Sequence, residues 1–192
     1  MIKKISAFIL VLCMATGILL GCSNKKAQET NAETPYYTLD IDGNKIYLQE
    51  DLPKVASVKK AATDFIILRQ NKDYKNFDAQ GEYKYFSKDT YNSYMDAKNY
   101  EIVEEFYKES QLTVQYDSAD ITNVKFFTEN DVEKCKVTMV YKDKIISATN
   151  EYLEEVKAQL NVPYEREAGI SMVLENNEWK IVDWNLTERK EI

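Results

Sequence analysis

The sequence predicts an α+β fold: N-terminal helices packed on a curved antiparallel sheet. Three observations carry this reading. Apolar residues recur at helical spacing between Asp51 and Tyr107, and beyond Gln111 their period changes from 3.6 to 2. The 192 residues are also 44% hydrophobic with only 5 Gly and 3 Pro, which is enough apolar matter for one buried core and argues against a disordered or collagen-like chain.

The chain opens with Lys3 and Lys4, followed by an apolar run from Ile5 to Leu20. That run is too short to span a bilayer comfortably, and a basic start followed by an apolar stretch is the pattern of an export signal. Its end, Leu19-Leu20-Gly21-Cys22, resembles the lipobox of bacterial lipoproteins: a branched apolar residue three places before the cleavage point, a small one just before it, then cysteine. Leu20 departs from the smaller residues usual at its place. The resemblance implies that residues 1–21 are a signal peptide and that Cys22 carries a thioether-linked diacylglycerol, which would place the chain at a cell membrane, lipid-anchored on its extracytoplasmic face. Two acyl chains anchor stably, at about 0.8 kcal/mol per buried CH₂. Loss of two lysines with the signal leaves 23 basic against 32 acidic residues, so an acidic body would be repelled by an anionic leaflet. Residues 22–35 are the lipidated N-terminus and a flexible tether, SNKKAQETNAETP after the cysteine, with a reach of roughly 20 Å.

Residues 36–50 predict a β-hairpin, with Leu39, Ile41, Ile46 and Tyr47 flanking a turn at Asp42-Gly43. Asp40, Asp42 and Asn44 also suggest a calcium loop, but Gly falls at the fourth position, and Asp51 stands where a Glu is needed. The turn is the stronger reading. Residues 51–192 form the α+β domain. Asp51 is a candidate cap for a helix with Pro53 in its first turn; Val55, Val58, Ala62, Phe65 and Ile66 form its apolar stripe. A second helical stretch follows a Ser87 cap and divides near Asn99.

Leu112 to Tyr116 and Ile121 to Phe127 read as two strands, and after a turn at residues 128–131 Val132 to Tyr141 alternates. Cys135, Val137, Met139 and Tyr141 share one face of that strand and the lysines share the other, so Cys135 belongs to the core and is no reactive thiol. Cys13 lies in the signal and Cys22 is consumed by lipid, which leaves no disulfide framework. Asn150 to Leu160 predicts a short helix with Glu151, Glu154 and Glu155 on its solvated face. Strands at Ala168 to Glu175 and Glu178 to Leu186 close the chain, and Trp179 and Trp184 mark the core side of a curved sheet.

This order, with its polar turn and final Trp179-Lys180-Ile181-Val182-Asp183-Trp184, resembles the NTF2-like superfamily over roughly residues 51 to 187, and the ending resembles that of small lipoproteins from Gram-positive bacteria. It is similar as well to the cystatin-like α+β sheet, and the sequence does not separate the two. The NTF2-like resemblance implies a cone of curved sheet around a helix, whose cleft serves isomerases, dehydratases, secretion components and plain binding modules alike.

The chain has no His, which removes histidine triads, His-ligated metals and imidazole bases, and its net charge of −7 leaves no basic stripe for nucleic acid. There is no phosphate loop, no paired Cys for metal and no nucleophile elbow, so neither cofactor nor metal is called for. The reading expected is a membrane-tethered, non-catalytic binding or assembly module whose partner is an apolar small molecule or an envelope protein. The alternative is an isomerase or dehydratase, which the family resemblance implies would pair a carboxylate, here Asp183, with Tyr141, Tyr116 or Tyr164.

Overall fold

The computed structural model describes residues 33–192, so the expected signal peptide, the expected lipid site at Cys22 and most of the expected tether lie outside the described residues. Helix α1 (Pro53–Gln70) buries the predicted stripe: Val55, Val58, Ala62, Phe65 and Ile66 are wholly inaccessible to solvent. Asp51 does not cap it. Leu52 holds the N-cap place without a side-chain bond and accepts the amide of Ala56, and Pro53 starts the helix by its fixed φ. Ser87 does cap α2 (Lys88–Asp96), its hydroxyl accepting the Thr90 amide. Helix α3 (Asn99–Ser110) follows after Lys98 breaks the run at a φ of +52°.

One sheet contains eight strands among the described residues. Strands β1 (Tyr36–Leu39) and β2 (Lys45–Tyr47) form the predicted hairpin. The carboxylate of Asp40 accepts the amides of Asp42 and Asn44 and the side-chain amide of Asn44, so it closes a turn. The main path runs β2-β1-β4-β5-β6-β7, built from β4 (Thr113–Glu129), β5 (Val132–Ser147), β6 (Pro163–Glu175) and β7 (Glu178–Leu186). Two short strands, β3 (Lys72–Asp73) and β8 (Lys190–Glu191), pair with the starts of β4 and β6. Every pairing is antiparallel except β1 with β4, where Tyr36 stands opposite Val124. Helix α1 touches both β4 and β7, which are separated by two strands in the sheet, so the sheet wraps around the helix. This is the helix-and-curved-sheet architecture expected.

Bulges produce that curvature. Asp117 and Thr122 are extra residues in β4, which makes one 17-residue strand of the two that were expected. Val182 is extra in β7. It explains the two tryptophans: five residues apart, they would face opposite ways in a regular strand, and the bulge turns both Trp179 and Trp184 inward. The two-residue turns Asn130-Asp131 and Asn176-Asn177 have positive φ at both positions, the conformation that matches strand twist and that Asn and Asp tolerate. The last helix, α4 (Asn150–Glu155), is capped by Thr149 and stops short of Leu160, because Lys157 turns left-handed at φ +52° and Leu160 bridges back to Ile145. Cys135 is 1% exposed, and burial raises its thiol pKa far above the ordinary range. It is a core side chain.

Candidate functional site

The helical and strand periodicities that build the core continue past its apolar part. Arg69 and Gln70 lie one turn beyond Phe65 and Ile66, so they point off the same inner face of α1. In β5, Asp143 follows Cys135, Val137, Met139 and Tyr141 on the inward face; in β6, Arg166 has the parity of Tyr164, Ala168 and Ile170. These polar residues therefore meet at one end of the core. Arg69, Gln70 and Arg166 border a cavity of about 220 Å³, closed by Lys72, Phe77 and Glu82, by Phe106 and Tyr107 of α3, by Tyr152 of α4 and by Arg189 before β8.

Its electrostatics oppose those of the whole chain. Arg69, Lys72, Arg166 and Arg189 line it, and Glu82 is the only carboxylate among the lining residues. Arg69 Nη1 donates to Glu82 Oε1 at 2.7 Å, and the guanidinium carbon lies 4.7 Å from the centre of the Trp184 ring. Arg189 donates through Nε and Nη2 to the two oxygens of Asp143 at 3.2 and 3.3 Å, and the Asp143 side chain is fully buried. Burial works against the charge on Arg189, but Asp143 and Tyr152 together outweigh it and hold the pKa above the ordinary arginine value. Lys72 is 8% exposed with no ion pair among the described residues, and burial lowers its pKa, opposed in part by Glu82. Arg166 Nε donates to the carbonyl of Thr187 at 2.7 Å, and among the described residues no carboxylate lies within ion-pair distance of it. With Arg189 it forms a wall shared with a second hollow of about 420 Å³, which Glu155, Lys157 and Glu188 border.

Three buried polar atoms have no hydrogen-bond partner: Arg69 Nε, Glu82 Oε2 and the hydroxyl of Tyr141. Natively buried polar groups are nearly always paired, so three in one neighbourhood mark unfinished hydrogen bonding. The Tyr141 hydroxyl senses Arg166, Asp143, Arg189 and Arg69, and burial pushes its pKa up to about 12. Burial does the same to Tyr107, also to about 12. Both remain neutral donors near pH 7.

The carboxylate and tyrosines suggested by the sequence are not brought together. Asp183 is exposed beside the Val182 bulge, Tyr116 is half-buried on β4, and the Tyr164 hydroxyl accepts the Gln159 amide at 2.7 Å. Only Tyr141 reaches this neighbourhood, and the carboxylate near it, Asp143, is held by Arg189. What sequence reasoning missed is the arginines. The chain has 25 basic residues, and only Arg69, Arg166 and Arg189 are arginine; all three line this cavity. Their scarcity was a readable signal, and their convergence was not. Among the described residues no group of three or more Cys, Asp and Glu side chains is placed to hold a metal, and no helix is long and apolar enough to cross a membrane.

No family model and no curated protein sequence matches the chain. Among solved structures it is similar to an IcmL-like type IV secretion system protein from Legionella pneumophila, at 18% identity and a TM-score of 0.44 over 73% of this chain and 94% of that one. It is also similar to the periplasmic domain of DotI, at 12% identity and a TM-score of 0.49 over 73% of this chain and 97% of that one.

Proposed function

We propose that the chain is a membrane-tethered, extracytoplasmic binding module without catalytic chemistry of its own, and that the arginine-lined cavity is where its ligand sits. The observation that supports this is the pair of buried polar atoms without partners on two residues that line the cavity, Arg69 Nε and Glu82 Oε2, since a ligand can complete bonds that the protein leaves open. The cleft is mixed in character, with aromatic and cationic side chains together in its lining, so a purely apolar ligand leaves its charges unserved. Each guanidinium has a protein partner that orients it, which suits holding a molecule more than transforming one.

The tether and the cavity are tested separately. Cys22→Ala is expected to move the full chain from the membrane fraction to the soluble fraction; retention in the membrane overturns lipid anchoring through Cys22. Native mass spectrometry of the full chain, purified from its own organism in detergent, is expected to show a bound small molecule that is lost on denaturation. A bare protein mass at every collision energy overturns the reading of the cavity as a ligand site.

A further inference from the structure

Lysine is the default cation of this chain, at 22 of its 25 basic positions, and arginine appears only around one cavity. The two are not equivalent. A guanidinium is weakly hydrated, survives burial with its charge, and presents a planar fork that matches the two oxygens of a carboxylate.

We infer that the cavity binds a small organic carboxylate, its oxyanion held by Arg166 and Lys72 and its apolar body laid against Phe77 and Tyr107. The inference rests on the reading of the cavity as a ligand site and names the ligand's class. Two of the arginines already hold carboxylates of the protein, Arg69 that of Glu82 and Arg189 that of Asp143. Arg166 does not: its Nε is fixed by the Thr187 carbonyl, which sets the plane of the fork and leaves its terminal amino groups without a carboxylate. Lys72 is nearly as buried as the core and also lacks an ion pair. Four cations line the cavity against one lining carboxylate, Glu82, and Lys72 is buried, where a charge outside any ion pair is costly until an anion joins it. Tyr107, which lines the cavity, adds a neutral hydroxyl donor.

Size and shape limit the body of the ligand. The cavity, at about 220 Å³, falls below the roughly 300 Å³ at which pockets for drug-sized molecules begin. Phe77 and Tyr107 stack with ring centres 4.2 Å apart, and Lys72 Nζ lies 5.0 Å from the Phe77 ring centre, so charge and aromatic surface adjoin. An anion of benzoate's size and form fits this combination.

The test uses the full chain in detergent, titrated calorimetrically with sodium benzoate, with neutral benzamide and with inorganic phosphate. Benzoate is expected to bind saturably and benzamide at least about tenfold more weakly, because a charge-assisted contact is lost. Arg166→Gln is expected to weaken benzoate by about tenfold or more. Lys72→Met, which replaces a buried charge with an apolar chain of similar length and so preserves the fold, is expected to do the same. No binding of benzoate, or equal affinity in both variants, overturns the inference. Phosphate binding without benzoate binding overturns the organic carboxylate. Equal binding of benzamide and benzoate overturns the anion while the ligand site stands, whereas a bare mass in the native spectrum removes the site itself.

Discussion

Trp184→Ala is expected to destabilise the protein by about 3 to 5 kcal/mol, the range for truncating a large aromatic in a core. The ring is only partly buried, but it is the point where the helices and the last strand meet. Its centroid lies 5.4 Å from Phe65 of α1, 5.2 Å from Phe86 before α2 and 5.6 Å from Tyr94 in α2. Each such aromatic contact adds about 0.5 to 1.5 kcal/mol beyond the area it buries, and truncation also strips the face on which Arg69 rests. For a domain of this size, a few degrees of melting temperature per kcal/mol make the drop on the order of 10 °C by calorimetry. An unchanged melting temperature would show that Trp184 is not packed against the helices, and the Val182 bulge that turns it inward would fall with it.

Asp143→Ala is expected to cost as much, about 3 to 5 kcal/mol, for an electrostatic reason. The substitution removes little volume but leaves Arg189, whose side chain is 10% exposed, as a buried guanidinium without its counter-ion. The double replacement Asp143→Leu with Arg189→Leu removes both charges and is expected to recover most of the loss, since a well-packed apolar pair often matches a buried ion pair. Urea denaturation checks both: the single variant shifts the midpoint down and the double returns most of the way. A double variant as unstable as the single one would mean that Asp143 acts through packing, or through Tyr141, and not through Arg189.

The two substitutions separate what was legible in the sequence from what was not. Trp184 was readable as core, because an aromatic in an alternating strand has few other uses, and so were the stripe of α1 and the inward face from Cys135 to Tyr141. Helix ends were less readable: Asp51 resembles a cap yet Leu52 takes the place, and the fourth helix stops at Glu155 because Lys157 leaves the helical region. The gap between the two predicted strands of β4 is continuous strand that holds a bulge at Asp117. Alternation fails at a bulge just as it fails at a loop, so periodicity cannot distinguish them. The candidate site was the least legible part. Asp143 lies 46 residues from Arg189 and Arg69 lies 13 from Glu82, and nothing in local spacing couples such pairs.

By itself the sequence determined the class of fold, the order of helices and strands, the faces that form the core, and the absence of histidine chemistry, because these follow from composition and from periods of 3.6 and 2 within single elements. Only the tertiary structure decided that the β1-β2 hairpin joins the sheet by a parallel pairing, that the sheet curls around α1, and that all three arginines of an acidic chain face one cavity. Those are relations between distant segments. They depend on where bulges bend the strands and on which charges must find partners when water is excluded, and neither is written in the neighbourhood of any one residue.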